Sequence, residues 1–133
     1  MDQSILLIIE DDPLMLRMYE KIFKFEHLNV ATATDGVNGL ELARTNRPAI
    51  ILLDIMMPKM NGLEVLDKLK ADPATKQIPV IMLTNLAGEK DAETALLKGA
   101  VKYIVKSQHD PKDIAAMVKE ILAATVRDAI PGS

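Results

Sequence analysis

Four short stretches carry the residue types that could do chemistry. Glu10-Asp11-Asp12 follows the apolar run Ile5–Ile9, and Asp54 follows the branched run Ile50-Ile51-Leu52-Leu53. Thr84 closes Val80–Leu83, and Lys106 closes Lys102–Val105. Apolar runs of strand length without polar alternation suit strands covered on both faces. A charge cannot sit inside such a strand without a partner, so Asp54 marks a carboxyl end facing a crevice. If the strands are parallel, all four ends share one edge, the edge where ligands bind in open α/β sheets. Carboxylates crowded there repel one another and at neutral pH call for a cation. Oxygen-only ligation by few protein groups suits Mg²⁺, which keeps several waters and favours sites shared with phosphate. Thr84 can donate a hydrogen bond to a phosphoryl oxygen, and Lys106 can offer its positive charge to another. Together with the metal they would neutralise charge on a phosphoryl group in transfer. Asp54 is then the candidate nucleophile, able to form an aspartyl-phosphate.

Each residue also has a plain structural role. Asp12 directly before Pro13 reads as a helix N-cap with proline at the first position. Glu10 and Asp11 could be solvated extensions of a strand, and Thr84 and Lys106 ordinary strand ends. Tyr103 suits core or partner surface better than chemistry. Met56, Met57 and Met60 have no Cys or His beside them, which favours loop packing over soft-metal binding. His27 and His109 form no visible metal pair. It is the joint placement on four strand ends that singles the group out.

The elements that must position these residues follow a repeating pattern. Ile5–Ile9 predicts a first strand, followed by a helix with Met15, Met18, Ile22 and Phe25 on its inner face. Val30–Thr34 is a second strand, and Val37, Leu40 and Ala43 face inward on a second helix that ends before Pro48. Ala49–Leu53 is the third strand; Leu63, Leu66 and Leu69 line the helix after Asn61-Gly62. Pro79 sits at the start of strand Val80–Leu83, where its missing N–H is tolerable. A fourth helix covers Glu89 to Lys98 with Ala92, Ala95 and Leu96 inward, and Gly99 at its C-cap. Lys102–Val105 is the fifth strand. A last helix from about Pro111 to Thr125 buries Ile114, Val118, Ile121 and Leu122. Five βα units imply a doubly wound parallel sheet with helices on both faces.

Composition narrows the function classes. The 133 residues fit one domain, and a net charge of -3 gives no electrostatic footprint for nucleic acid. Aromatics at 3% argue against base stacking on single strands. The absence of cysteine removes disulfides and thiolate metal sites and fits a cytoplasmic setting. No apolar run is long enough to span a bilayer, and Met1-Asp2-Gln3-Ser4 lacks the basic start of a signal peptide.

From Ile5 to about Thr125 the chain resembles the receiver domain of two-component response regulators. The likeness rests on Glu10-Asp11, on Asp54 with Met56-Met57-Pro58 and Asn61-Gly62, on Thr84, and on Tyr103 with Lys106. It implies a flavodoxin-like strand order 2-1-3-4-5, with residues 1–127 as the domain and 128–133 as a tail or the stub of a longer chain. Asp54 would be the phosphorylation site. Asp11, Asp54 and the backbone carbonyl of Met56 would ligate Mg²⁺, with Glu10 acting mainly through water. Lys106 would pair with the phosphoryl group, while Thr84 and Tyr103 would switch the surface of helix four, strand five and helix five. The implied partners are a histidine kinase or histidine phosphotransfer protein, and a downstream protein target or an output domain.

Three features depart from the family pattern. Ser107 follows Lys106 where a cis-proline is common; a trans bond and an altered loop are expected, since a non-proline cis bond costs about 2.5–4 kcal/mol. Asn85 stands where a smaller residue is usual. Met56 and Leu86 hold positions that influence hydrolysis, and neither orients a water well, which predicts slow loss of phosphate. Other readings fit less well. A haloacid-dehalogenase-type phosphatase needs a second carboxylate where Met56 stands. A flavodoxin's phosphate would be repelled by Glu10-Asp11-Asp12. A degenerate receiver acting only as an interaction module is at odds with an intact Asp54, Thr84 and Lys106.

Overall fold

In the computed structural model, which describes residues 6–85 and 89–129, the apolar runs form strands and the amphipathic stretches form helices. The order is β1 (Leu6–Ile9), α1 (Pro13–Phe25), β2 (Val30–Ala33), α2 (Gly36–Asn46), β3 (Ile50–Asp54), α3 (Gly62–Ala71), β4 (Val80–Thr84), α4 (Glu89–Leu97), β5 (Lys102–Val105) and α5 (Pro111–Ala129). A single 3-10 turn, Lys106–Gln108, joins β5 to α5. The strands pair in parallel in the order β2-β1-β3-β4-β5, the flavodoxin-like arrangement expected above.

Strand alternation divides the apolar residues between two cores. Leu6, Ile8, Ile50, Leu52, Ile81 and Leu83 pack with Leu16, Tyr19 and Phe23 of α1 and with Ile114 and Val118 of α5. Leu7, Ile9, Ile51, Leu53, Val80 and Met82 pack on the other face with Ala43, Val65, Leu66, Leu69 and Ala95 from α2, α3 and α4. Each fully buried Leu or Ile contributes about 1.5–3 kcal/mol, and β1 and β3 are apolar on both faces for this reason. Helix starts are fixed locally. Asp12 caps α1 as expected, accepting from the Leu14 and Met15 amides. Asp35 caps α2, and Asn61 with Glu64 forms a capping box on α3.

Several expectations shift. The buried residues of α1 are Leu16, Tyr19 and Phe23, whereas Phe25 is 83% exposed. Met15, Met18 and Ile22 only flank that core. On α2, Gly36, Gly39 and Ala43 face inward and Val37 lies outside. Leu96 of α4 is likewise exposed. β2 stops one residue earlier than expected, while β3 and β4 each extend one residue to include Asp54 and Thr84. α5 runs to Ala129, past the end expected near Thr125. No peptide bond among the described residues is cis, so Lys106–Ser107 is trans, as its sequence predicts. Ile5, Leu86 and the tail residues 130–133 lie outside the described residues. Among the described residues no helix is long and apolar enough to cross a membrane.

Candidate functional site

Register brings the charged residues together. Ile9 of β1 pairs with Leu53 of β3, so the next residues, Glu10 and Asp54, stand level at the carboxyl edge. Asp54 pairs with Leu83 of β4, and Thr84 with Val105 of β5. Thr84 therefore lies one step past Asp54 on β4, and Lys106 two steps past it, just past the end of β5. Alternation also sorts them by face: Asp54 continues Ile50 and Leu52 toward the α1–α5 side, while Thr84 continues Val80 and Met82 toward the opposite core. Tyr103 packs against that same opposite core. The acid cluster and the Thr84–Tyr103 pair thus occupy opposite faces of one edge.

The cluster is buried and unbalanced in charge. Glu10 and Asp54 are 2% and 5% exposed, and Thr84 is fully buried. Carboxylate oxygens of Glu10, Asp11 and Asp54 lie within 4.8 Å of one another. Facing them, Lys106 Nζ sits 2.6 Å from Glu10 Oε1 and 3.7 Å from Asp54 Oδ1. Two backbone amides help: Asp12 N–H donates to Glu10 Oε2 at 3.2 Å, and Met56 N–H donates to Asp54 Oδ1 at 3.3 Å. These donors do not offset three neighbouring acids. Burial foremost, and then the Glu10 carboxylate, push the Asp54 carboxyl up from 3.8 to about 7 against the pull of Lys106. The same two causes, in the same order, raise Asp11. An all-oxygen donor set with surplus negative charge and a half-buried outer member, Asp11, fits a hard divalent cation such as Mg²⁺.

The loop after β3 is pressed onto the site. Gly62 N–H donates to the Ile55 carbonyl at 2.8 Å. A Cβ on Gly62 would collide with the Asp54 carbonyl oxygen and the Ile55 Cα, so only glycine lets α3 begin this close to the end of β3. The Asn61-Gly62 step is therefore a packing requirement of the site.

Glu10, Asp11, Asp54, Thr84 and Lys106 lie at this edge, and Met56 follows Asp54 in the loop after β3. Sequence reasoning missed the Glu10–Lys106 ion pair, which joins residues 96 positions apart. The strand register sets Ile104 level with Asp54 and Lys106 two residues beyond, on the same face. It also passed over Tyr19, buried on α1; burial and then Glu10 and Asp54 push its phenol up to about 12. The i, i+3, i+7 spacing of Leu16, Tyr19 and Phe23 could have found it. Tyr103 is half-buried, and its phenol is raised by burial and by Asp91 of α4.

Comparison with known proteins agrees with this geometry. The family profile described as the response regulator receiver domain matches residues 6–119. The response regulator PleD of Caulobacter vibrioides is 40% identical over 105 residues, covering 79% of this chain; the chain spans only 23% of PleD's length. A CheY-like receiver domain protein from Methanospirillum hungatei superposes with a TM-score of 0.84 at 30% identity, covering 93% of this chain and 97% of its own. The Mn²⁺-bound form of the response regulator Rcp1 superposes with a TM-score of 0.74 at 29% identity, covering 89% and 91%. With its fold, its edge of acids and these matches in agreement, the chain belongs to the response regulator receiver domain family.

Proposed function

We propose that Asp54 accepts a phosphoryl group from a histidine kinase or histidine phosphotransfer protein, and that the modified domain signals to a downstream protein or an output domain. In the transfer an Asp54 carboxylate oxygen attacks phosphorus, the phosphorus–nitrogen bond of the donor's phosphohistidine breaks, and the imidazole leaves with the bonding pair. Asp11, Asp54 and the Met56 backbone carbonyl, with Glu10 through water, would hold Mg²⁺, whose charge when bound neutralises the phosphoryl oxygens. Lys106 begins paired to Glu10, and 3.7 Å separates it from Asp54. A short swing carries its ammonium onto a phosphoryl oxygen. Thr84 offers its hydroxyl to another such oxygen. Movement of Thr84 and Tyr103 on the shared face then alters the α4–β5–α5 surface that a partner reads. In this reading residues 1–127 act as the receiver unit, residues 128–133 are its tail or the stub of a longer chain, and the exchange takes place in the cytoplasm.

The observation that carries this reading is the Glu10–Asp11–Asp54 cluster, with Lys106 poised between its two buried acids. Because Thr84 and Lys106 are both in place at this edge, no observation favours an interaction-only receiver. The test is to incubate the purified protein with a small acyl phosphate and Mg²⁺ and follow its mass. We expect one phosphoryl group per chain, lost in Asp54→Asn and without Mg²⁺, and released slowly because the Met56 side chain cannot orient water. Labelling that survives Asp54→Asn would overturn the assignment, and a lifetime of seconds would overturn the slow release.

A further inference from the structure

Methionines are unevenly exposed in this molecule, and the unevenness has a location. Among the described residues, Met57 and Met82 are buried and Met15, Met18, Met60 and Met117 are half-buried. Met56 alone of these is exposed, at 58%. It stands two residues after the phosphoacceptor, and its amide is bonded to Asp54 Oδ1. Its side chain lines an open groove of about 440 Å³ with Pro58, Leu63 and Asp91. A thioether there is accessible to a small oxidant from solvent, while the amide bond keeps its backbone beside the carboxylate.

We propose that Met56 is an oxidation site, that a hydroperoxide is its oxidant, and that the sulfoxide shortens the life of the phosphoryl group on Asp54. A sulfur lone pair attacks one peroxide oxygen and the O–O bond breaks. The sulfur gains that oxygen and is oxidised by two electrons, and the other oxygen, taking the proton released by the first, leaves as an alcohol, or as water when the oxidant is hydrogen peroxide. The product replaces an apolar side chain with a strong hydrogen-bond acceptor two residues along the chain from Asp54. Loss of phosphate from an aspartyl-phosphate needs a water aligned with phosphorus, and the sulfoxide oxygen can accept a hydrogen bond from that water and fix its orientation. The unoxidised thioether cannot do so, and neither can the apolar Pro58 and Leu63 beside it. Oxidation at 58% exposure disturbs no core packing, so its effect falls on the chemistry and not on the fold.

The inference rests on the proposed phosphorylation of Asp54, and the experiment separates the two. The full chain is treated with dilute hydrogen peroxide, and peptide mass mapping ranks its methionines by rate of oxygen uptake. Treated and untreated protein are then phosphorylated with an acyl phosphate and Mg²⁺, and decay is timed. Met56 is expected to gain its oxygen first, and the lifetime to fall about tenfold, the worth of one well-made hydrogen bond to the attacking water. Met56→Leu, whatever its own lifetime, should show no change on peroxide treatment. Met56→Gln, a permanent acceptor of similar length, should decay about tenfold faster than Met56→Leu without peroxide. Prior oxidation of a buried methionine, or an unchanged lifetime after Met56 is oxidised, overturns this inference alone. No labelling of Asp54 in the untreated protein overturns the phosphorylation reading and this inference with it.

Discussion

Glu26 meets Lys119 at 2.7 Å across the α1–α5 crossing, and Glu10 meets Lys106 at 2.6 Å at the carboxyl edge of the sheet. The distances match; the surroundings do not. The side chains of the first pair are 36% and 47% exposed, those of the second 3% and 9%. On the surface, one acid faces one base, and the hydrogen bond from Lys119 holds the Glu26 carboxyl below its ordinary range. At the edge, one ammonium faces three carboxylates, and Asp54 is pushed upward. Water and salt screen the surface pair, so its contribution is small. Low dielectric magnifies the imbalance at the edge, where surplus negative charge is kept against a cost in stability. Buried groups perturbed by desolvation and a specific charged neighbour are candidates for function, and this cluster meets both conditions.

The contrast can be tested from both sides. The largest effect is expected from Lys106→Ala, which should slow phosphoryl uptake about 100-fold, whereas Lys119→Ala should leave the rate unaltered. Initial rates with an acyl phosphate measure both, and equal rates in Lys106→Ala and wild type would break the contrast.

The next effect is on stability in the presence of a chelator. The folded state keeps the Asp54 proton up to about pH 7, while the unfolded chain gives it up near 3.8. Stability should therefore fall as pH rises from about 4 to 7 and level off above. Asp54→Asn should lack this slope and, by urea unfolding at pH 8, be more stable than wild type by about 1–3 kcal/mol. A less stable Asp54→Asn would show that the cluster is not strained.

The smallest effect concerns Glu26→Gln. Its depressed carboxyl contributes stability above the unfolded value of 4.5, lost as pH falls through the lower folded value. Melting temperature should drop slightly at neutral pH and not at all in high salt or strong acid. A drop as large as the gain in Asp54→Asn would erase the distinction.

Much of this was legible in sequence because strands buried on both faces leave few choices. Runs such as Ile50–Leu53 ending in Asp54 fixed both the strand and the edge that carries chemistry. Helix phase was harder to read. In α1 apolar residues occupy nearly every turn on several sides, from Leu14 to Phe25, so spacing alone selects either Met15–Met18–Ile22–Phe25 or Leu16–Tyr19–Phe23. Packing against the sheet selected the second. In α2 hydrophobicity pointed to Val37, but close approach governs there: a Cβ on Gly39 would meet Ile9 Cδ1 at 2.6 Å. Small residues mark the inner face of that helix. The Glu10–Lys106 pair escaped because composition at strand ends predicts which residues meet, not which acid the lysine prefers.

The surplus acids at the sheet edge are expected to hold a divalent cation, and the surface pairs are not. Calorimetric titration of Mg²⁺ into wild type, Asp11→Asn and Glu26→Gln tests it most directly. Saturable binding to one site is predicted in wild type and in Glu26→Gln, and its loss in Asp11→Asn. Equal binding in wild type and Asp11→Asn, or none in wild type, would contradict the account.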